Sequence, residues 1–226
     1  CEQPLANFFA SGVLALENKL GPILWQLPPQ LSFDEDRIAS FLALLPKTMA
    51  EAAELARKHD ACIKHGAYLD VKNGDRPLRY AFEARHASFS DARFANVLRR
   101  WNAALCIADT AGKWPWIEDV TTADFVYVRL HGAKKLYASG YSSAELDVWA
   151  RKIDRWRTGK GSPTKRRRDV YVYFDNDVKV RAPFDAMNLA ARLGHGEPVA
   201  FPRKLHRDAE VRRGVEEIRT TTAWDP

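Results

Sequence analysis

Apolar positions along the chain follow two alternating rhythms, one helical and one strand-like. Phe9, Val13, Leu16 and Leu20 recur at helical spacing until Gly21-Pro22 stops them, so a helix is expected first. The run I-L-W-Q-L-P-P over residues 23–29 reads as a strand, ended by two prolines that have no ladder donor. Ser32 and Glu35 have capping-box spacing, and Ile38, Phe41, Leu42 and Leu45 form the apolar stripe of the helix they would open, which Pro46 closes. A second helix is expected over 47–59. Residues 60–77, with the turn signal N-G-D at 73–75, show no clear rhythm.

The strand rhythm returns in R-Y-A-F-E-A-R-H over 79–86. Ser90 is placed to cap the next helix, whose Phe94, Val97, Leu98 and Trp101 share a face. A-L-C-I-A-D over 104–109 reads as a short buried strand, and the Gly-, Pro- and Trp-bearing stretch 110–123 lacks a helical pattern. From Phe125 the run F-V-Y-V has no break in polarity, as in a strand covered on both faces, and it gives way to Arg129, His131 and Gly132. Ser142 and Glu145 form another capping pair, ahead of a stripe of Leu146, Trp149, Ile153 and Trp156. Residues 159–168 make a basic loop and D-V-Y-V-Y-F-D-N-D over 169–177 a last strand. Pro183 suits the first turn of a final helix and Gly194 its end. One domain is expected over 1–194, followed by a charged tail over 195–226 with a short helix at 206–218.

Strands separated by helices imply parallel pairing through right-handed crossovers. A doubly wound sheet would usually advertise a nucleotide loop, and no G-x-G-x-x-G follows any strand. The expected fold is therefore α/β and TIM (β/α) barrel-like, in which every strand delivers its carboxyl end to one face. Gln26, Glu83 with Arg85 and His86, Asp109, Arg129 with His131, and Asp175 with Asn176 and Asp177 all stand at or just past strand ends. That shared position is the argument for a single site.

Glu83 and Asp109 supply carboxylates, and His86 and His131 can move protons near neutral pH. Arg85 and Arg129 can clamp a phosphate or carboxylate through a planar fork, with Gln26, Asp175 and Asn176 as further ligand-binding groups. The bland alternative is that the carboxylates neutralise the two arginines. Arg129 would then pair with a neighbouring strand's carboxylate, and His131 would be a hydrogen-bonded core residue. Approach of Arg129 to Glu83 or Asp109 is expected in an empty site. Trp114, Trp116, Tyr137 and Tyr141 are rings that could stack on a sugar or base, or cover a core edge. Without H-E-x-x-H or G-x-S-x-G, no metal ligands and no nucleophile are assigned, Cys106 is expected to pack, and no cofactor is specified.

Composition adds bounds. With 226 residues, 46% of them hydrophobic, the chain can bury a full core. The formal net charge of +6 is partly local, since five basic residues lie within 160–168. Lys165, Arg166, Arg167 and Arg168 thus form the alternative, nucleic-acid-binding surface, against the ordinary reading of a solvated loop. Three widely spaced cysteines favour a reducing, cytoplasmic setting, and no run is long enough to cross a bilayer. The chain begins with Cys1 and enters a helical pattern at once, so it is expected to be a piece of something longer.

In series, G-P-I-L-W-Q-L-P-P, A-F-E-A-R-H, Y-V-R-L-H-G and V-Y-V-Y-F-D-N-D resemble the YecE-like family, the DUF 72 family of unknown function, from near the start to about Gly194. The resemblance implies a fold similar to a TIM barrel, with this chain holding roughly the last five of eight strand-helix units. It also implies unpaired strand edges, a liability unless covered. Three functional readings follow. One is an acid/base enzyme of sugar-isomerase or phosphodiester-hydrolase type, taking a phosphorylated or sugar-like small molecule. The others are a non-catalytic nucleic-acid-binding protein and a truncated product without independent activity. Nothing in the sequence fixes an oligomeric state.

Overall fold

The structure is a computed structural model that describes residues 1–64, 66–115, 117, 120–160 and 165–202. Trp116 and the tail from 203, with its expected helix at 206–218, lie outside the described residues. Five strands, β1 (Ile23–Gln26), β2 (Tyr80–Glu83), β3 (Ala104–Asp109), β4 (Phe125–Leu130) and β5 (Asp169–Phe174), follow one another in the sheet in chain order. The β1–β2, β2–β3 and β4–β5 pairs are parallel. The fold is α/β, without the reversal of order that a doubly wound sheet requires. No helix among the described residues is long and apolar enough to cross a membrane.

The chain forms two compact units, one of Cys1–Cys106 with Asp119–Asp124, the other of Ile107–Glu118 with Phe125–Pro226. In the first, α1 (Glu2–Ala10) packs on α3 (Met49–Ala56), and the buried faces of both include alanines (Ala6, Ala10, Ala52, Ala53, Ala56) that let the helices approach closely. The first helix stops well before the expected end. Gly12 turns left-handed at φ 107° and residues Val13–Lys19 form a 3₁₀ segment kinked at Glu17. Glu17 is held from a distance: its carboxylate accepts the Lys72 N–H at 3.1 Å and its carbonyl accepts from Arg76 at 2.8 Å. These contacts override the helical spacing and leave Leu16 exposed.

Helix α2 (Glu35–Leu44) is capped by Asp34, whose side chain accepts the Arg37 N–H at 2.9 Å, so Ser32 does not fill the expected role. Helix α4 (Ala92–Arg100) is likewise capped by Asp91, because Ser90 belongs to a 3₁₀ turn at Ala87–Ser90. The apolar stripes hold: Ile38, Leu42 and Leu45 are buried, as are Phe94, Val97 and Leu98. Strand β2 ends at Glu83, so Arg85 and His86 belong to the following turn.

In the second unit, Phe125 to Val128 of β4 are buried throughout, as the unbroken apolar run requires. Helix α5 (Ser143–Thr158) opens with the expected capping box. Ser142 Oγ accepts the Glu145 N–H at 3.3 Å while the Ser142 N–H donates to Glu145 Oε2 at 2.7 Å. Leu146, Trp149, Ile153 and Trp156 then bury against Val126, Val128 and Leu130. Helix α6 (Ala182–Arg192) has Pro183 in its first turn and adds Leu189 to the same core.

Candidate functional site

The polar groups of the second unit gather where β3, β4 and β5 end. Two backbone bonds carry the ladder past the last strand residues: the His131 N–H donates to Asp109 O and the Asp175 N–H to Leu130 O, both at 2.9 Å. Gly132 then takes φ 119°, a conformation that favours glycine, and a Cβ there would meet Lys135 O at 2.6 Å. The turn folds back on itself, with Ser139 Oγ accepting the N–H groups of Lys134 and Lys135 at 2.9 Å.

This loop returns Tyr141 to the strand ends. Its hydroxyl accepts the Gly132 N–H and donates to Asp109 Oδ2, each at 3.1 Å. Asp109 also receives a longer 3.4 Å bond from the Ala111 N–H. Burial pushes the Asp109 carboxyl above its ordinary range, against the lowering pull of these two hydrogen bonds. Burial, with the Asp109 charge behind it, pushes the Tyr141 hydroxyl well up, so Tyr141 holds its proton and acts as donor.

His131 is fully buried, its Nδ1 3.2 Å from Asp175 Oδ2, with Tyr137 and Trp114 edge-on to its ring at 5.4 and 6.2 Å. Arg129 pairs with the same Asp175 oxygen. This is the neighbouring-strand carboxylate of the bland alternative, and sequence reasoning had looked for Glu83 or Asp109 instead. Asn176 is fully buried, and its amide donates to Asp185 Oδ2 at 2.7 Å and Ser139 O at 3.0 Å, so these hydrogens serve the fold. Asp185, in the first turn of α6, also accepts the Tyr141 N–H at 3.1 Å, and burial pushes its carboxyl up as well. Tyr141 is therefore fixed at both its backbone and its hydroxyl.

Asp109, Arg129, His131, Asp175 and Asn176 thus share one polar neighbourhood. Sequence reasoning missed Asp185 and Ser139, and it weighed Tyr141 only as a ring that could stack on a ligand or cover a core edge, whereas its hydroxyl bonds Gly132 and Asp109. The only signal for Asp185 was its place two residues after a helix-opening proline.

Within the first unit, Glu83 is almost fully buried and Arg85 Nε lies 2.8 Å from its Oε1. His86 Nδ1 accepts the Ser88 N–H at 3.2 Å and lies 2.8 Å from Ser88 Oγ, capping the 3₁₀ turn. Gln26, in register with Glu83, is exposed. In the basic loop Lys165, Arg166 and Arg167 are exposed, whereas Arg168 is buried and donates to Arg166 O at 3.1 Å, which removes it from the expected phosphate-contacting set. Cys106 packs inside β3. Among the described residues no three His, Cys, Asp or Glu side chains come together as a metal-binding group.

Against known proteins, a family model described as "Protein of unknown function DUF72" matches residues 1–209. The chain is similar to the crystal structure of a DUF72 family protein from Thermotoga maritima, at 21% identity and a TM-score of 0.58, covering 86% of this chain and 66% of that one. It is also similar to two crystal structures of a DUF72 family protein from Enterococcus faecalis. One shows 15% identity, a TM-score of 0.59 and coverage of 89% and 69%, the other 14%, 0.57, 85% and 68%. At such identities the likeness is one of fold, and the chain spans 66–69% of the length of these structures. No curated protein matches it.

Proposed function

This chain belongs to the DUF72 family, whose description assigns no activity, so we propose its function from its own residues: general acid/base chemistry on a small anionic or polyhydroxy substrate at the carboxyl ends of β3 and β4. The reading takes the five in-order strands as part of a TIM-like barrel, where such ends carry sites. The observation that carries it is the Asp109–Tyr141 pair. A half-buried carboxyl with raised proton affinity, hydrogen-bonded to a hydroxyl that a backbone N–H holds in place, can take a proton and give it back. Arg129 is the anion holder, and an anionic ligand would compete with Asp175 for its guanidinium. His131 is too deeply buried to meet a ligand directly and serves the loop, its carbonyl accepting the Tyr137 N–H at 2.5 Å. In the first unit Glu83 is neutralised by Arg85 and His86 is engaged as a cap, so the proposal assigns them structural work.

The test is proton exchange. Phosphorylated aldoses and ketoses are incubated with the protein in deuterated water, and label next to the carbonyl is followed by NMR, alongside thermal melts with the same compounds. Asp109→Asn should lower the exchange rate by about 10²-fold or more while the sugar phosphate still raises the melting temperature. Arg129→Lys, which keeps the charge and loses the fork, should abolish that ligand-dependent rise. Absence of both exchange and any ligand-dependent rise in the unaltered protein would overturn the reading.

A further inference from the structure

The first unit has a concavity at the other end of β2 from Glu83. Where β2 begins at Tyr80 and the chain approaches β3 through Asn102, a cavity of about 690 Å³ opens. Its floor is apolar and buried, formed by Leu42, Leu45 and Tyr80. The Tyr80 hydroxyl donates to Pro46 O at 2.5 Å, and burial raises its proton affinity, so this wall is neutral and fixed. Around the rim stand Lys47, Arg100 and the half-buried Trp101, and no acidic side chain lines the cavity.

Both cations are available to a ligand. The Lys47 ammonium sits 5.8 Å from the centre of the Trp101 ring, and among the described residues it makes no ion pair. Glu51, the carboxylate beside it, accepts the Lys47 backbone N–H at 2.6 Å. Arg100 pairs with Glu35 at 3.0 Å, but its side chain is 58% exposed, and exposed pairs of this kind contribute little and yield readily to a competing anion.

We propose that this cavity binds a small ligand made of a flat aromatic ring and a phosphate, of the nucleoside monophosphate type. The ring rests on the Leu42–Leu45 floor beside Trp101, and the phosphate is held by Lys47 and Arg100. Each half of that ligand answers a different part of the wall. A wholly apolar occupant would leave the Lys47 ammonium partly desolvated without a counter-charge, and free phosphate would leave the apolar floor wet. The volume lies within the range of pockets that enclose small molecules, about 300–1,000 Å³. The site is independent of the acid/base reading above, since it shares no residue with it.

Calorimetric titration with AMP, adenosine and inorganic phosphate tests the proposal. AMP should bind saturably and at least tenfold more tightly than either adenosine or phosphate. Lys47→Gln and Arg100→Gln should each weaken AMP at least tenfold and leave adenosine unchanged, and Trp101→Leu should weaken both AMP and adenosine. Arg37→Gln, an equal loss of charge on α2 outside the cavity lining, should leave AMP binding unchanged. Circular dichroism of each variant, identical to that of the parent, ties any loss to the site. AMP binding no tighter than phosphate, or AMP affinity insensitive to Lys47→Gln and Arg100→Gln, overturns it.

Discussion

Asp109 and Asp185 occupy the same physical position: each is a carboxyl that burial pushes toward keeping its proton, and hydrogen-bond donors hold each in place. That has a pH consequence with a definite sign. In the unfolded chain an aspartate releases its proton near about 3.9. In the fold both groups hold theirs to higher pH. As pH rises from the unfolded value through the raised folded values, the native state retains protons that the unfolded state has given up, so stability falls across that window and levels off above it. Asp109→Asn removes the share of Asp109 and keeps an acceptor for the Tyr141 hydroxyl. Urea melts from pH 4 to 8 should show the variant gaining on the parent as pH rises, then a constant gap. A gap independent of pH would mean that Asp109 titrates as it does in the unfolded chain, and would remove one support of the acid/base proposal.

At the scale of elements, one spacing met two fates. S-x-x-E occurs at 32–35 and at 142–145, and the second forms a full capping box while the first forms none. Ser142 leads straight into the helix with both partners within one turn. At the earlier position the Phe33 N–H is taken by Ser88 Oγ at 2.7 Å, a contact 55 residues away in sequence, and Asp34 becomes the cap. Ser142→Ala should lower stability by about 1 kcal/mol, while Ser32→Ala, at an exposed position with no cap to lose, should stay within about 0.5 kcal/mol of the parent. Equal losses in chemical denaturation would contradict this assignment.

The same distinction decides what else could be read from the chain. Strand positions, apolar stripes and the place of Asp109, Arg129, His131 and Asp175 follow from local periodicity and were legible, although β2 and β5 stop at Glu83 and Phe174, short of the runs over 79–86 and 169–177. The break at Glu17 depends on residues up to Arg76, and the Asp185–Tyr141 bond joins residues 44 apart. No local pattern announces such partners. Arg129 shows the middle case, since a carboxylate partner was foreseeable and its identity was not.

For the whole molecule, membership in a family without an assigned activity leaves charge as the one global property with a functional reading. The chain carries 35 basic and 29 acidic residues, and Lys165, Arg166 and Arg167 are three consecutive exposed cations of the basic loop. If these three contact phosphates, the logarithm of duplex affinity should fall with the logarithm of salt with a slope of about −2.7, at about −0.9 per contact. Duplex DNA held at 50 mM salt would then bind about 40-fold more weakly at 200 mM. Changing all three to serine should flatten that slope to near zero without lowering the unfolding temperature, because all three side chains are solvated. Arg168→Ser should do the reverse: its side chain is buried and hydrogen-bonded to Arg166 O, so its loss lowers the unfolding temperature and leaves the slope intact. Filter binding over a salt series on the two variants separates these effects. No binding by the unaltered protein at the lowest salt would exclude the nucleic-acid reading, and a slope that survives the triple change would place any phosphate contacts elsewhere on the chain.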